Sequence, residues 1–391
     1  MIYLDNASTT KVDQVVLEEM LPYLKESYGN PGSIHFAGFQ VKRALDKARR
    51  QAADFFGASP EHIIFTSSGS EANNLALHAA MEIMSTETKT HIIASSIEHH
   101  SVMAALRDME ESGKYHVDYV NPDSMGIIHA ESIREKITYD TGLVCCMYAN
   151  NETGAVNEVG EIGRICKEYG ALFFTDCVQA AGIFDIDVNR IQCDFATVSS
   201  HKIHGPKGVG ALYCRSKCFK PLIFGGGEQE FGLRGGTENI PGIVGFGAAL
   251  EASKVMKTTN IAKISFMKTM FYKSLMSALR KEGIDHIAHV NSDSVNRIGK
   301  VISITFNGVD AESIVLAMSA AGVCISAGAA CNSQESIPSY VLTAQGLSPE
   351  EARSTVRISF SKLNDIEEVK TAGEILASTV KTLLDYNTSA G

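Results

Sequence analysis

The chain has 391 residues, of which 45% are hydrophobic and 20% charged, and its formal net charge is −10 at pH 7. A chain of this length buries a full core and is expected to form two domains. The acidic net charge argues against a nucleic-acid partner, and no apolar run approaches the roughly 18–20 residues of a membrane span. The N-terminus, MIYLDNASTT, lacks the features of a signal peptide, so we expect a cytoplasmic protein without a membrane partner.

Strand-like apolar runs alternate with helical segments along the first half of the chain. The runs are HIIFTSS, HIIAS, GLVCCMYA, ALFFTD and CDFATVSS, and helical patterns follow the first three. This alternation predicts an α/β fold with a mainly parallel sheet flanked by helices. Polar residues end or follow all five runs, at 67–70, 98–100, 150–152, 176–179 and 199–202. Because ligands collect at the carboxyl ends of parallel strands, these five strand ends predict one site.

The second half of the chain predicts a smaller α+β domain. A Gly-rich stretch, FGGGEQEFGLRGGTEN, precedes a long helical region over about residues 240–281. Strands VISITF, VCIS and TVRISF then alternate with helical segments. We place the large domain at 15–258 and the small domain at 259–391, and we expect segment 1–14 to pack with the small domain.

The nine cysteines, an odd number, fit scattered reduced thiols better than a disulfide framework. Most lie in apolar runs or amphipathic segments without a metal-ligand spacing, and Cys324 reads as a core residue. Cys331 differs, because it lies in the small-residue loop SAGAACNSQESIP, which has no apolar periodicity. This position predicts an exposed thiol that can react.

The stretch SSHKIHGPKG places Lys202 just beyond a buried strand. Burial lowers the pKa of a lysine and exposes the neutral amine that forms Schiff bases, although a surface or phosphate-binding lysine is the alternative. Asp176 ends ALFFTD three residues before Gln179. A carboxylate there suits the pyridinium nitrogen of pyridoxal 5′-phosphate (PLP), and a helix cap is the alternative.

Two further patterns fit the same cofactor. TSSGSEANN places a small Gly-Ser turn at a helix N-terminus, which suits a phosphate, and Ser199 and His201 are candidate additional donors. SIEHHSV offers a histidine that can stack on a ring and move protons, with a helix-start residue as the alternative. The pair His201 and His204 lacks a third ligand nearby, which argues against an intrinsic metal site.

A series of motifs across nearly the whole chain resembles the cysteine desulfurases of the NifS/IscS type. In order, they are YLDNASTT, GNPGSIH, FTSSGSEANN, EHHSV, NNETG, TDCVQAAG, SSHKIHGPKG, LRGGTEN, SAGAACNS and VRISF. That family belongs to the class V aminotransferases, which are PLP enzymes of fold type I. The resemblance therefore implies the fold type I architecture and PLP as cofactor.

Matching positions carry over the family's catalytic roles. Lys202 is expected to hold the Schiff base, His99 rather than His100 to stack on the ring and move protons, and Cys331 to receive sulfur as a persulfide. The implied reaction removes sulfur from L-cysteine and leaves L-alanine. Cys331 is then expected to pass the sulfur to an iron-sulfur scaffold or another acceptor protein, and to ligate a cluster iron transiently.

The remaining implied site residues contact the cofactor or the substrate. The implied cofactor contacts are Lys202, Asp176, Gln179, His99, Gly69, Ser70, Asn151, Ser199, His201 and, from the second subunit of a homodimer, Thr237. The implied substrate contacts are Arg357, Asn30 and Asn151, with the Arg357 guanidinium suited to a carboxylate.

Two other functions remain open on the sequence. A selenocysteine lyase or aminotransferase on the same scaffold would keep Lys202 and Asp176 without needing the thiol for every substrate. A PLP-free scaffold subunit would be expected to lose one of these two residues, and both are present.

Overall fold

The computed structural model describes residues 1–215, 227–291, 297–328 and 338–390, with side chains described as far as residue 387. Its strands are β1 (Ile2–Tyr3), β2 (Ile63–Thr66), β3 (His91–Ser95), β4 (His116–Val120), β5 (Thr141–Cys145), β6 (Leu172–Asp176), β7 (Phe195–Ser199), β8 (Gly210–Cys214), β9 (Ala288–Val290), β10 (Val301–Phe306), β11 (Val323–Cys324), β12 (Ser326–Ala327) and β13 (Thr355–Ser359). Its helices are α1 (Gln14–Lys25), α2 (Phe36–Phe56), α3 (Gly69–Glu87), α4 (His100–Glu111), α5 (Ala130–Arg134), α6 (Val159–Tyr169), α7 (Val188–Ile191), α8 (Ile240–Val255), α9 (Lys257–Lys281), α10 (Ala311–Ala320), α11 (Tyr340–Ala344), α12 (Pro349–Arg353) and α13 (Ile366–Ala390).

The larger part of the fold is a seven-stranded sheet in the order β2-β8-β7-β6-β5-β3-β4. Only the two pairings of β8 are antiparallel. Neighbouring side chains on one strand point to opposite faces, so Phe173 joins one hydrophobic core and Phe174 the other. Continuous apolar strands such as these are typical of a sheet with both faces covered by helices. The predicted α/β class with a mainly parallel sheet is confirmed.

The smaller part is a four-stranded antiparallel sheet in the order β12-β13-β10-β9. Helices α9 and α13 pack together beside it. Its core, which includes Phe271, Ile304 and Phe306, is separate from the two cores of the large sheet.

Two segments differ from the sequence prediction. The long helical region is two helices, because Met256 leaves the helical conformation with φ −94° and ψ 7°. VCIS forms two short strands, since β11 pairs in parallel with β1 whereas β12 pairs with β13. A change of partner at Ile325 prevents one continuous strand. The domain limits of 15–258 and 259–391 stay a prediction.

Within the described part of the chain, none of the helices combines the length and the apolar character that crossing a membrane would require.

Candidate active site

The carboxyl ends of the parallel strands meet at a cavity of about 330 Å³. This volume lies at the lower end of the range of about 300–1,000 Å³ that is usual for small-molecule sites. The cavity is lined by Ala7, Ser8, Ser68, Gly69, Ser70, Asn73, His99, Met147, Asn151, Asp176, Val178, Gln179, Ser199, His201, Lys202 and Arg357. Of the described site residues predicted within one chain, the structure therefore brings together all except Asn30.

Lys202 follows β7 in a short 3₁₀ turn that aims its side chain into the cavity. Its Nζ donates hydrogen bonds to the carbonyl oxygens of Ala7, at 2.7 Å, and Ser8, at 2.6 Å. Burial and the nearby Arg357 charge lower the pKa of Lys202 to about 8, against the opposing charges of Asp5 and Asp176. A substantial fraction of the amine is therefore neutral near physiological pH, as a nucleophilic lysine requires.

Asp176 lies at the carboxyl end of β6 and is buried. Its Oδ1 accepts a hydrogen bond from the backbone N–H of Val178 at 2.8 Å, and its Oδ2 accepts one from Asn73 Nδ2 at 2.9 Å. Asn73 is held in turn by Thr197 Oγ1, which donates to Asn73 Oδ1 at 2.6 Å. These bonds hold the carboxylate in one orientation at the cavity wall.

Sequence reasoning missed Asn73. The available signal is its position on α3 between Ala72 and Ala76, two residues that are fully buried. A polar side chain on the buried face of an amphipathic helix needs a hydrogen-bond partner, which marks it as a candidate for a site.

The N-terminus of α3 and the end of β7 form a cradle at one side of the cavity. A Cβ atom added to Gly69 would lie 3.2 Å from Val178 Cγ2 and 3.3 Å from Ser199 Cβ, so glycine leaves that space free. Ser199 Oγ is buried without a hydrogen-bond partner among the described residues. Free backbone N–H groups and the helix dipole make this end of α3, which includes Ser70, suitable for an anion.

His201 adds a neutral ring beside this cradle. Burial, together with the charges of Lys202 and Lys207, lowers the pKa of His201 to about 4. Its Nδ1 lies 3.1 Å from Thr9 Oγ1. The ring is therefore neutral at physiological pH and can take part in hydrogen bonds without adding charge.

His99 caps α4, where its Nδ1 accepts a hydrogen bond from the backbone N–H of Ser101 at 3.2 Å. It lines the cavity, whereas the His100 ring packs at 4.9 Å against Tyr340. Loss of surrounding water lowers the pKa of His99, and the charge of Asp176 opposes this shift. His99 therefore favours the neutral form, which can accept a proton.

Glu98, the residue before His99, is fully buried; the sequence placed it among the polar strand ends but assigned it no role. It accepts hydrogen bonds from Ser95 Oγ and from the backbone N–H of Met147. Burial raises the pKa of Glu98 to about 8. This protonated carboxyl group ties the loop that carries His99 to the end of β5.

Arg357, on strand β13 of the smaller sheet, lies in the wall of the cavity. Its guanidinium donates hydrogen bonds to Asp5 Oδ1 at 2.9 Å, to Ser8 Oγ at 2.6 Å and to the backbone carbonyl of Asn151 at 3.1 Å. The side chain of Arg357 is only 7% exposed, so these contacts are largely shielded from water. Sequence reasoning also missed that the N-terminal segment lines this cavity, where Ala7 O accepts a hydrogen bond from Gln179 Nε2 at 3.0 Å.

Two predicted site residues that the structure describes, Thr237 and Asn30, are not part of this cavity in the single chain. Thr237 lines a separate cavity with Thr66 and Arg234. Asn30 is exposed, and its Oδ1 accepts a hydrogen bond from the backbone N–H of Gly32 at 2.9 Å. Cys331 lies outside the described residues. The roles assigned to these three residues stay predictions.

The donors and acceptors around the cavity suit a small anionic ligand with a reactive carbonyl group. The cavity combines an amine of lowered pKa, an oriented carboxylate and a helix N-terminus. Across the described ranges, no cluster of three or more histidine, cysteine, aspartate or glutamate side chains has the arrangement of a metal site.

Comparison with known proteins finds full-length relatives. A Bacillus subtilis (strain 168) protein provisionally named cysteine desulfurase IscS 1 is 41% identical over 385 residues, which cover 98% of this chain and 99% of that protein. A cysteine desulfurase of Nostoc sp. (strain PCC 7120) is 38% identical over 384 residues, covering 98% of this chain and 94% of the relative.

Solved structures show the same architecture. A "NifS-like protein" superposes with a TM-score of 0.87 at 34% identity, covering 98% of this chain and 99% of the other. A structure described as SspA in complex with cysteine superposes with a TM-score of 0.77 at 35% identity, covering 93% of this chain and all of the other. Residues 2–371 match the family model described as aminotransferase class-V. The chain belongs to the class V aminotransferase family.

Proposed function

We propose that this chain is a PLP-dependent cysteine desulfurase that acts in the cytoplasm. It removes sulfur from L-cysteine, releases L-alanine and keeps the sulfur as a persulfide on Cys331. The observation that carries the proposal is the Lys202 amine of lowered pKa in a cavity shared with Asp176 and Arg357. The full-length relatives named cysteine desulfurase support the choice of reaction within the family.

The cavity fits PLP on three observations. Gln179 Oε1 and Ser199 Oγ are buried at its wall without hydrogen-bond partners in the described part of the chain, so a ligand has polar groups to satisfy. Gly69 leaves space beside the N-terminus of α3 where a Cβ atom would crowd Ser199. Asp176 is already oriented by Asn73.

Individual residues then have distinct tasks. Lys202 would hold the cofactor covalently, Asp176 would face its ring nitrogen, and Gly69, Ser70, Ser199 and His201 would hold its phosphate. Asn151 and Gln179 would contact its remaining polar groups. When bound, PLP supplies an electron sink for the carbon that carries the substrate amino group.

Proton transfer falls to Lys202 and His99. The lowered pKa of each side chain increases the fraction of its neutral form, which accepts a proton and can return it. Arg357 would bind the substrate carboxylate, for which its guanidinium supplies two parallel donors. In the described structure Asp5 occupies part of this guanidinium, so a substrate carboxylate would exchange with the Asp5 contact.

Cys331 is the proposed sulfur acceptor. The overall transfer balances as L-cysteine plus the Cys331 thiol giving L-alanine plus the Cys331 persulfide. In this transfer the substrate C–S bond breaks, an S–S bond forms on Cys331, and the substrate carbon takes up a proton. The persulfide sulfur would pass to an iron-sulfur scaffold or another acceptor protein.

The active unit would be a homodimer. Four large apolar side chains in segment 28–39 are strongly exposed, with Tyr28 at 85%, Ile34 at 104%, Phe36 at 82% and Phe39 at 63%. Large exposed apolar side chains concentrated in one segment are a feature of interaction sites. Asn30 lies in the same segment, so a dimer would explain why Asn30 and Thr237 are separate from the cavity of their own chain.

The test compares wild type with Lys202→Ala, Cys331→Ser and Cys324→Ser after purification in PLP. We expect Lys202→Ala to lose the visible absorption of lysine-bound cofactor and all alanine formation. Cys331→Ser should keep the absorption and lose alanine and sulfide formation from L-cysteine, whereas the control Cys324→Ser should keep both. Undiminished alanine formation by Cys331→Ser would reject the persulfide role and favour a selenocysteine lyase or aminotransferase.

A further inference from the structure

A second, smaller cavity lies where elements of the two sheets meet, next to the turn that carries Lys202. Its volume is about 50 Å³, and its wall includes Lys202 and His204 from the turn after β7. The smaller sheet contributes Lys300, which precedes β10, and Lys362, which follows β13. One water occupies about 10–15 Å³ of such a cavity volume, so this space suits a few waters or one small ion.

Lys300 is the unusual group in this wall. The residue is only 5% exposed. Among the described residues, the groups that influence Lys300 are the like charges of Lys202 and Arg357, with no hydrogen bond and no opposite charge beside them. Burial, with the charges of Lys202 and Arg357, lowers the pKa of Lys300 to about 7. A lysine that is buried without a counter-charge is costly to the fold, which makes it a candidate for binding an anion.

The other charged groups around Lys300 do not supply this counter-charge. Asp13 forms an ion pair with Lys362. Burial lowers the pKa of His204 to about 4, and its Nδ1 lies 2.9 Å from the carbonyl oxygen of Lys11, so His204 is neutral. Lys202 is bonded to the carbonyl oxygens of the N-terminal segment. The wall therefore carries a net positive charge when Lys300 is protonated.

We propose that this cavity is a binding site for one small monovalent anion of the size of chloride, held by Lys300 between the two sheets. The anion would neutralise a buried cation and connect the start of β10 to the turn after β7. The site is distinct from the cavity of Asp176 and Arg357, although Lys202 borders both.

The first experiment locates the ion directly. Crystals of the PLP-loaded wild-type protein are soaked in sodium bromide, and the anomalous scattering of bromide is mapped. We expect a peak within ion-pair distance of Lys300 Nζ. A map with bromide only at the surface would overturn the proposal, and this result does not depend on the folding of any variant.

The second experiment measures the melting temperature of the PLP-loaded protein in sodium chloride and in sodium gluconate at equal ionic strength. A bound ion stabilises only the folded state, so chloride should raise the Tm of wild type by about 2 °C or more. The increase should disappear in Lys300→Met and persist in Lys281→Met, which removes an exposed lysine outside the cavity. Equal chloride effects in wild type and Lys300→Met would contradict the proposal. Since the ion needs a protonated Lys300, the effect should also weaken as pH rises well above 7.

Discussion

Replacing Asn73 by alanine tests whether one buried amide holds the site together. The change removes the hydrogen bond to Asp176 at 2.9 Å, the bond from Thr197 at 2.6 Å and the bond to Ser101 Oγ at 3.0 Å. A neutral bond contributes about 0.5–1.5 kcal/mol and a bond to a charged group about 1.5–3 kcal/mol. The three bonds therefore sum to roughly 2.5–6 kcal/mol, and water entering the space would offset part of this. We expect Asn73→Ala to lower the free energy of unfolding by about 2–4 kcal/mol.

Urea denaturation followed by circular dichroism measures this loss, and the visible absorption of bound cofactor measures the effect on the site. Asn74→Ala is the matched control, because Asn74 lies on the same helix, is half-buried and donates mainly to the carbonyl oxygen of Ser70. The control should change the free energy of unfolding by about 1 kcal/mol or less. If Asn73→Ala is no more destabilising than Asn74→Ala and retains cofactor equally well, then Asn73 does not orient Asp176.

Three other predictions follow from buried charged groups. Only the neutral amine of Lys202 attacks an aldehyde, so the rate at which the cofactor-free protein takes up PLP should rise with pH through about 8 and then level off. A rate that does not depend on pH, measured by stopped-flow absorbance, would contradict this prediction. The raised pKa of Glu98 means that the folded state holds a proton that the unfolded state has lost. The resulting stabilisation is fully present below the ordinary pKa of glutamate and is lost as pH rises through about 8. Between about pH 5 and 8, the wild type should therefore lose stability relative to Glu98→Gln by something on the order of 3 kcal/mol. Urea titrations across that range would disprove it by showing parallel pH profiles. Glu230→Gln breaks a buried ion pair in which both terminal guanidinium nitrogens of Arg49 lie 2.7 Å from the carboxylate. It should lower the free energy of unfolding by about 3–5 kcal/mol in the same assay, whereas Glu19→Gln, in an exposed pair, should lower it by less than about 1 kcal/mol. Equal losses in the two variants would refute this prediction.

Much of the fold and the centre of the site could be predicted from the sequence because parallel strands impose simple geometry. Apolar runs identify buried strands, and a polar residue after such a run lies at the carboxyl edge of the sheet. Asp176, Ser199 and Lys202 were found in this way, and the structure places all three in one cavity.

Contacts between distant segments had no comparable local pattern. Asp5 and Arg357 are separated by 352 positions, and neither the period of a strand nor that of a helix indicates that they meet. Cys324 and Ser326 likewise belong to one apolar run, although their strands pair with different partners. Register and pairing of this kind depend on tertiary packing, which the amino-acid pattern does not encode directly.

The N-terminal segment gives the site an electrostatic connection that neither sheet supplies alone. Ser8 accepts a hydrogen bond from Lys202 through its backbone carbonyl and one from Arg357 through its hydroxyl group. The charge of Arg357 is one of the causes that lower the pKa of Lys202. A substrate carboxylate bound to Arg357 would add a negative charge to that of Asp5, which already raises the pKa of Lys202, and would raise this pKa further. Substrate binding would therefore favour proton uptake by Lys202 at the stage when the proposed reaction needs a group that holds a proton.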